Sequence, residues 1–458
     1  MTNKVHGYLP DETPRPLELL FFALQQIIVM FPATVLVALL TGFNVSTTIF
    51  ASGLATLCFI LVTGRKIPLY YGSSFSYIAA ITSITMGSTY AHLPMNERIS
   101  IAQFGIMMSG FVSIIAGFII RRYGRKLIDR LLPASVTGPI AIIIGLSLAG
   151  SAMSNATAVP ASVDPAWGMN WAWVIAIATL LSTILYSVYL KGRFSQLPIL
   201  FGLLTGYGVA IIVQMVTKIP FISFDTIQGA MLQLPVITLP KPTFVAVAAI
   251  MPIALATIPE STAHIFQLHI YVNNLAKKKG STKVYDLENR LGDNLIGDGI
   301  GDIVSAAIGG PAGTNYGENI SAMAISKNFS VNVLITAAIL TMVISSFTPL
   351  VNAVYSIPAA VIGGLSIYLF GVIAAQGIAI IIEKQVDMFS SKNLAIISVI
   401  LIIGLGGSFY FPESMIPFFG VRFPAIATAA IVGILLNLLL SLGNQEEPVI
   451  VDEDVDLA

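Results

Sequence analysis

The chain has 458 residues, of which 56% are hydrophobic and only 10% are charged, and its mean hydropathy is +0.86. About a quarter of the residues of a water-soluble domain are charged, so this composition excludes a soluble protein and indicates one that is solvated mostly by lipid. The net charge is zero, so no nucleic-acid partner is expected.

Apolar runs of about 20 residues, which is the length needed to cross a bilayer, recur along nearly the whole chain. We predict fourteen spans, some of them short or tilted, and hence an all-α polytopic membrane protein. Their ranges are 17–41, 46–64, 70–88, 100–120, 133–150, 171–190, 197–217, 243–268, 291–308, 312–326, 331–351, 357–376, 393–409 and 423–441.

The basic residues are distributed unequally between the two sides that these spans define. If the N-terminus is cytoplasmic, only Arg98, Lys218, Lys241 and Arg422 of the 23 basic residues fall outside. An excess of Lys and Arg in cytoplasmic loops sets the orientation of membrane proteins. We therefore predict a multi-pass protein of the cell (inner) membrane with both termini in the cytoplasm.

Two predicted spans contain polar segments broken by glycine, Gly72–Tyr77 and Thr314–Asn319. Pro68 precedes the first and 309–311 (Gly-Gly-Pro) precedes the second, and both stop a continuous helix. Because Phe75, Ser76 and Tyr77 favour extended backbone, we predict two short strands that meet at mid-membrane. Each strand would lead into a half-helix whose N-terminal amides point at the gap.

These two breaks occupy matching places in the chain. They fall in the third and tenth predicted spans, and seven spans lie on each side of the loop 218–242. An odd number of spans forces the second half to insert in the opposite orientation, which is the inverted-repeat plan of many secondary carriers. Matching breaks in two such halves are the usual position of a transporter's substrate site.

Few ionisable side chains are predicted at bilayer depth, where they are costly and are usually kept for function. Glu260 follows the apolar run 243–259, and His264 lies four residues later on the same helical face. Glu318 follows Gly317 in the second break and supplies a carboxylate from the opposite half. We predict a substrate or proton site, because a carboxyl group and an imidazole in such a cavity can both exchange protons near neutral pH.

Other roles remain open for these residues. Glu260 and His264 could be half of a metal site, but a metal usually needs three or four protein ligands, and the sequence has no companion Cys or His cluster. They could also be a structural pair that joins neighbouring helices. No phosphate loop, nucleophile elbow or zinc-hydrolase motif is present, so an enzyme is not expected. Asp293, Asp298 and Asp302 are near a predicted span end, where we expect solvated or capping carboxylates.

At these residues the chain resembles the nucleobase–ascorbate transporter family, and most closely its bacterial uracil permeases. The resemblance spans almost the whole chain and rests on the order and spacing of several weak motifs. These motifs are Leu24–Val37, Gly72–Phe75, Glu260-x-x-x-His264 and Asn315–Lys327.

The resemblance implies a fold of seven plus seven inverted repeats, divided into a core domain and a gate domain. Family members work as homodimers and move the core against the gate. The implied bounds are 1–16 for a cytoplasmic N-terminal tail, 17–130 and 243–351 for the core, 131–220 and 352–441 for the gate, and 442–458 for an acidic cytoplasmic tail.

The resemblance also assigns roles to five residues at the two breaks. Phe75 and Gly317 would offer backbone groups to the carbonyl or ring nitrogen of a nucleobase. Glu260 and Glu318 would accept hydrogen bonds from its N–H groups. His264 would support the site and, with Glu260, take part in proton coupling.

Three further positions bear on the choice of substrate. Phe370 matches a position where uracil permeases place a tyrosine on the gate side, although a packing role is equally open. Ser321 and Ser326 stand where the family usually has Gly and Thr. The carboxylate of Glu318, where xanthine and urate carriers typically have Gln, favours uracil.

The resemblance thus implies a secondary active transporter that imports a nucleobase, uracil first, by proton symport, with no cofactor besides the coupling proton. The alternative within the family is a permease selective for xanthine or other purines. A third reading is an anion exchanger or channel of the sulfate-carrier fold. That reading is disfavoured because two carboxylates would repel an anion and no Lys or Arg lies beside the breaks.

Overall fold

The computed structural model describes residues 7–124, 130–223, 230–419 and 421–443. In the first half of the chain, one short strand lies among helices. The described elements in chain order are α1 (Pro16–Thr41), α2 (Val45–Val62), β1 (Tyr71–Ser73), α3 (Ile78–Thr85), α4 (Met95–Tyr123), α5 (Ala134–Ser147), α6 (Ala149–Ala156), α7 (Pro165–Tyr189) and α8 (Pro198–Thr217).

The second half also has one short strand among its helices, and it adds a hairpin near its end. Its elements are α9 (Phe244–Ile250), α10 (Ala254–Lys278), α11 (Leu291–Ile308), β2 (Gly313–Asn315), α12 (Gly317–Ser326), α13 (Val331–Ser345), α14 (Thr348–Tyr355), α15 (Ala359–Glu383), α16 (Ser391–Leu401), α17 (Gly407–Tyr410), β3 (Met415–Phe418), β4 (Val421–Pro424) and α18 (Ala425–Gly443). Residues 444–458 of the predicted acidic tail and residues 1–6 of the predicted N-terminal tail lie outside the described residues.

Within the described residues, ten helical stretches are long and apolar enough to cross a membrane, and each overlaps one predicted span. Three of these stretches join two elements each: α5 with α6, α9 with α10, and α16 with α17. The other four predicted spans correspond to β1 with α3, to α11, to β2 with α12, and to α13. Of these, α11 carries three Asp residues and the others are shorter than a full span. The prediction of a mostly helical polytopic protein is confirmed, and the count of fourteen spans stays a prediction.

The helix ends follow from local sequence. Pro16 occupies the first turn of α1, where its missing N–H leaves no bond unmade, and Gly42 ends that helix with φ 74°. The Asn44 side chain accepts a hydrogen bond from the Thr47 N–H at 3.1 Å and so caps α2. Gly309 ends α11 with φ 104°, a conformation that few other residues adopt, so the chain leaves the helix just before the second break.

Glycines let α4 and α11 pack with their backbones in contact. A Cβ atom added to Gly110 would lie 2.5 Å from the carbonyl oxygen of Gly299, and one added to Gly117 would lie 2.7 Å from that of Gly292. Small residues at such positions let membrane helices approach closely. The close fit holds α11 rigidly beside the two broken segments.

Strands β1 and β2 pair in antiparallel orientation, with Tyr71 opposite Asn315, Gly72 opposite Thr314 and Ser73 opposite Gly313. The prediction of two short strands, each followed by a half-helix, is therefore confirmed.

The extended conformation predicted for Phe75–Tyr77 is wrong, because these residues form a helical turn that leads into α3. The Ser74 hydroxyl accepts a hydrogen bond from the Ser76 N–H at 3.3 Å. A serine cap of this kind starts a helix one residue later, and it outweighs the strand preference of the aromatic residues.

Candidate functional site

The two helix starts are held side by side by backbone hydrogen bonds that extend the strand pair. The Ser74 N–H donates to the Ala312 carbonyl at 3.0 Å, and the Tyr316 N–H donates to the Tyr70 carbonyl at 3.0 Å. Each helical segment begins directly after these bonds. The N-terminal amides of both half-helices are thereby placed at one point in the fold.

Glycine is required within the paired strands, because tyrosine rings lie against the backbone there. A Cβ on Gly72 would lie 2.4 Å from the Tyr316 ring, and one on Gly313 would lie 2.4 Å from the Tyr71 ring. The Tyr316 hydroxyl donates to the Ser73 carbonyl at 3.0 Å. The predicted break thus depends on its glycines for close approach as well as for weakening a helix.

The two predicted carboxylates, which come from different halves of the chain, lie near each other. Glu260 on α10 interacts with the hydroxyl of Ser76, and its charge interacts with that of Glu318 at the start of α12. Both side chains are half-buried. The two carboxylates thus lie next to the starts of the two half-helices, the position predicted for the gap, where carboxylate acceptors and backbone donors are close together.

His264 lies one turn beyond Glu260 and against the start of α12. A Cβ added to Gly317 would lie 2.9 Å from His264 Nε2, and the imidazole also interacts with the backbone of Asn315. Its Nδ1 atom is buried and has no hydrogen-bond partner among the described residues, so it can bind a ligand or a water molecule. No group of three or more His, Cys, Asp or Glu side chains in the described ranges is arranged to hold a metal ion.

The two predicted aromatic residues belong to one apolar cluster beside the gap. Phe370 on α15 is buried in this cluster together with Val37 and Ile78. Phe75, which is half-buried, packs against the same cluster. The structure thus places Phe75 and Phe370 in the same apolar cluster.

Two cavities adjoin these elements. Glu318 lines a cavity of about 170 Å³ together with Ser321, residues of α1 such as Pro32, and the start of α8 around Pro198. A larger cavity of about 1060 Å³ runs along the face of α10 that carries Thr262 and is bounded by α5 and α15. None of the predicted site residues lines the larger cavity, so the smaller one is the better candidate for access to the gap.

A buried acidic group on α11 was missed by the sequence analysis. Asp298 is only 5% exposed, and its carboxylate accepts hydrogen bonds from the Asn315 side chain at 2.8 Å and from the Ser261 hydroxyl at 2.5 Å. The solvated or capping role expected for Asp298 is therefore wrong. The bonds connect α11 to the strand β2 and to α10 next to Glu260.

Asp302, one turn later, is also buried, at 2% exposure, so the same expectation is wrong for it. Its Oδ1 atom accepts hydrogen bonds from the Gly313 N–H at 2.8 Å and from the Tyr71 hydroxyl at 2.5 Å. Only Asp293 lies at the helix end as expected, where it pairs with Arg121 and Arg290 at 3.3 Å each. The four-residue spacing of Asp298 and Asp302, which places both on one face of a helix, was the signal that could have identified them.

The chain is similar to a family of membrane transport proteins along most of its length. A family model described as "Permease family" matches residues 17–413. The uracil permease of Bacillus caldolyticus is 35% identical over 421 residues, which make up 91% of this chain and 91% of that protein. The uracil permease of Escherichia coli (strain K12) is 33% identical over an alignment of 462 positions, which covers 100% of this chain and 99% of that protein.

Solved structures show the same fold at low sequence identity. The transmembrane domain of a cyanobacterium bicarbonate transporter, BicA, matches 94% of this chain and 99% of that chain with a TM-score of 0.59 and 15% identity. The murine anion transporter Slc26a9 in the inward-facing state matches 94% of this chain and 69% of that chain with a TM-score of 0.61 and 13% identity. These matches establish the fold alone, whereas the family match and the permease identities together show that the chain belongs to the permease family of nucleobase–ascorbate transporters.

Proposed function

We propose that this protein imports a nucleobase, uracil first, by proton symport across the cell (inner) membrane. The observation that carries the proposal is the meeting of Glu260 and Glu318, from different halves of the chain, at the gap where both half-helices begin. The relatives named uracil permease support the choice of substrate.

The chemistry of uracil matches the groups around this gap. Uracil is flat and neutral near pH 7, and it alternates N–H donors with carbonyl acceptors. The carboxylates of Glu260 and Glu318 accept from the donors, and the backbone amides near Phe75 and Gly317 donate to the carbonyls. Hydrogen bonds to charged groups contribute about 1.5–3 kcal/mol each, so a few of them replace the hydration of the base.

The charges in the gap support proton coupling. Two carboxylates close together in a site screened from water repel each other, and one proton bound between them removes that repulsion. Glu260 carries this proton in our proposal, and His264 next to it supports the transfer. No cofactor takes part in this scheme.

The core and gate domains inferred from the family are also part of the proposal. The most extensive helix contacts support this division. Within the proposed core, α4 packs against α11 and α2 packs against α13. Within the proposed gate, α5 packs against α15 and α7 packs against α8. The carrier acts as a homodimer in the bilayer, and both termini are cytoplasmic.

Uptake of labelled uracil into proteoliposomes tests the proposal. We expect uptake to rise with an inward proton gradient and to be reduced by excess unlabelled uracil more than by xanthine or chloride. Stronger competition by xanthine would identify a purine permease. Inhibition by chloride together with loss of uracil uptake would favour an anion carrier, and the proposal would then be rejected.

Substitutions at the two carboxylates test their roles in the same assay. We expect Glu318→Ala to abolish uracil binding, because it removes an acceptor for the N–H groups of the base. Glu260→Gln should impair transport, because the amide cannot carry the coupling proton. The control is Glu383→Gln, which changes an exposed carboxylate at the end of α15 and should transport as the wild type does. Unchanged binding by Glu318→Ala would remove Glu318 from the site.

A further inference from the structure

The ring of Tyr71 is enclosed between the backbones of two other elements. A Cβ added to Gly301 on α11 would lie 2.6 Å from this ring, and one added to Gly313 on β2 would lie 2.4 Å from it. The Tyr71 carbonyl accepts hydrogen bonds from the hydroxyls of Ser52 at 2.9 Å and Thr56 at 3.0 Å, both on α2. Tyr71 is therefore fixed through both its main chain and its ring.

A single carboxylate oxygen completes this arrangement. Asp302 Oδ1 accepts from the Tyr71 hydroxyl at 2.5 Å and from the Gly313 N–H at 2.8 Å. Tyr71 belongs to β1, Gly313 to β2 and Asp302 to α11. One atom thus links both strands of the pair to the helix that supports them.

The strand pair needs such support because it is very short. It has three residue pairs, and an isolated two-stranded ladder is marginally stable even at greater length. The two segments that follow its strands carry Phe75 on one side and Gly317 and Glu318 on the other. A shift of one strand against the other would therefore change the spacing of the groups proposed to bind the base.

We propose that Asp302 is a positioning residue for nucleobase binding, which acts by fixing β1 and β2 to α11 so that the two half-helix starts keep their spacing. This inference rests on the proposed function for its substrate. In this proposal Asp302 supports the strands through these two hydrogen bonds and does not itself contact the base. Its role requires a hydrogen-bond acceptor at the Oδ1 position, not a negative charge.

Two substitutions at Asp302 separate the acceptor from the charge. Asp302→Ala removes the acceptor, and we expect uracil binding to weaken on the order of 10-fold to 100-fold, as for other displacements of about 1 Å at a binding site. Asp302→Asn keeps an amide oxygen that can accept both hydrogen bonds, so it should bind uracil within a few-fold of the wild type. Asp293→Asn is the matched control on the same helix, since Asp293 pairs with arginines at the helix start.

The outcomes distinguish positioning from other roles. If Asp302→Asn is as defective as Asp302→Ala, the charge matters and the positioning role is overturned. If Asp302→Ala binds uracil as the wild type does, the role is likewise overturned. Should the alanine variant fail to fold, Tyr71→Phe removes only one of the two hydrogen bonds, and it should weaken binding several-fold; wild-type binding by Tyr71→Phe would contradict the inference.

A second readout does not depend on the substrate. We expect hydrogen exchange of ligand-free Asp302→Ala to be faster than that of the wild type in peptides covering 71–77 and 313–318, and unchanged in Asp302→Asn and Asp293→Asn. Unchanged exchange in Asp302→Ala would overturn the positioning role. Failure of the wild type to bind any nucleobase would instead reject the proposed function and leave the exchange result to decide the role of Asp302.

Discussion

Gly317 is the residue at which α12 begins, and the His264 imidazole lies against it. A Cβ at this position would lie 2.9 Å from His264 Nε2, and the next His264 atom would be 3.6 Å away. Gly317 is not among the glycines with positive φ, so alanine can adopt its backbone conformation. The contact with the imidazole is then the reason for glycine here.

We expect Gly317→Ala to weaken uracil binding about tenfold by displacing the His264 imidazole, a displacement of the kind that costs much affinity at a binding site. Its thermal stability should be unchanged or slightly higher, because alanine favours a helix over glycine by up to about 1 kcal/mol. Gly208→Ala on α8 is the control, since nothing lies within 4 Å of its added Cβ. Equal binding by both variants would show that His264 tolerates the methyl group.

The sequence predicts individual site residues where a local pattern marks them. Glu260 and His264 were identified because four-residue spacing puts both on one helical face, and Glu318 because it follows a break. Asp298 and Asp302 were misjudged, since their role depends on which strand packs against α11. That contact joins residues distant in sequence, so their four-residue spacing could mark the two carboxylates as sharing a helical face but could not show which strand they bind.

The segment before α1 packs against the ends of several helices. The Tyr8 N–H donates to the Lys327 carbonyl at 2.8 Å, and the Phe329 N–H donates to the Tyr8 carbonyl at 2.8 Å. Asp11 accepts hydrogen bonds from the Lys283 ammonium group at 2.5 Å and from the Tyr285 hydroxyl. The segment is thereby attached to the loops that follow α10 and α12.

Asp11 gives this attachment a pH dependence. Burial alone would raise the pKa of Asp11, but the hydrogen bonds from Lys283 and Tyr285 outweigh it and lower the pKa below the ordinary value of 3.8. A carboxylate with a lowered pKa stabilises the folded state above its unfolded pKa, and the contribution is lost as the pH falls through the folded value. The attachment should therefore be intact at neutral pH and weaken only below about pH 4.

We expect Asp11→Asn to speed hydrogen exchange of residues 7–15 at pH 7 while lowering stability by less than about 1 kcal/mol, because the Asp11–Lys283 pair is 52–55% exposed. The difference from wild type should shrink as the pH falls below about 4. Glu383→Gln, again at an exposed carboxylate, should leave exchange in this segment unchanged. An effect of Asp11→Asn that persists in acid would argue against an ionic contact.

The type of a secondary-structure element was easier to predict from the sequence than its first and last residues. Hydropathy located the long helices, and Pro and Gly located both breaks. The turn at Phe75–Tyr77 was missed because the Ser74 cap competes with strand preference within three residues. The hairpin of β3 and β4 was not predicted, because its strands of four residues each are short and their pairing depends on the turn between them.

A carboxylate joins the proposed core and gate domains through several hydrogen bonds. Glu413 Oε1, just before β3, accepts from the Ser88 N–H and hydroxyl at 2.6 Å each and from the Thr89 N–H at 3.3 Å. Glu413 Oε2 accepts from the Thr89 hydroxyl at 3.2 Å. Glu413 and Ser414 both have φ 58°, which is unfavourable for residues other than glycine, so this contact holds a strained turn.

This contact lies between the two domains that are proposed to move during transport. Ser88 and Thr89 follow the half-helix α3 of the proposed core, and Glu413 belongs to the proposed gate. The charge pattern predicts that both lie on the outer side of the membrane. If the core moves against the gate, the four hydrogen bonds must break each time the outer side opens.

The pKa of Glu413 supports a charged contact at neutral pH. Burial would raise this pKa, but the hydrogen bonds from Ser88 and Thr89 outweigh it and lower the pKa below 4.5. The stabilisation is present above the unfolded pKa and is lost as the pH falls through the folded value. Glu413→Gln should therefore mimic acid by weakening the contact and making the outer side open more often at pH 7.

A reversible cross-link tests whether this contact must break. We expect Ser88→Cys with Glu413→Cys, in a Cys58→Ser background that removes the single native cysteine, to lose uracil uptake on oxidation and to regain it with a reductant. Glu97→Cys with Lys241→Cys is the matched control, because this pair joins α4 of the proposed core to the residues just before α9, where the second part of that core begins. Since those two residues would move together, their cross-link should leave uptake intact. Uptake that survives a complete cross-link between positions 88 and 413 would mean that α3 and the hairpin move as one body, and the boundary between core and gate would then have to be drawn elsewhere.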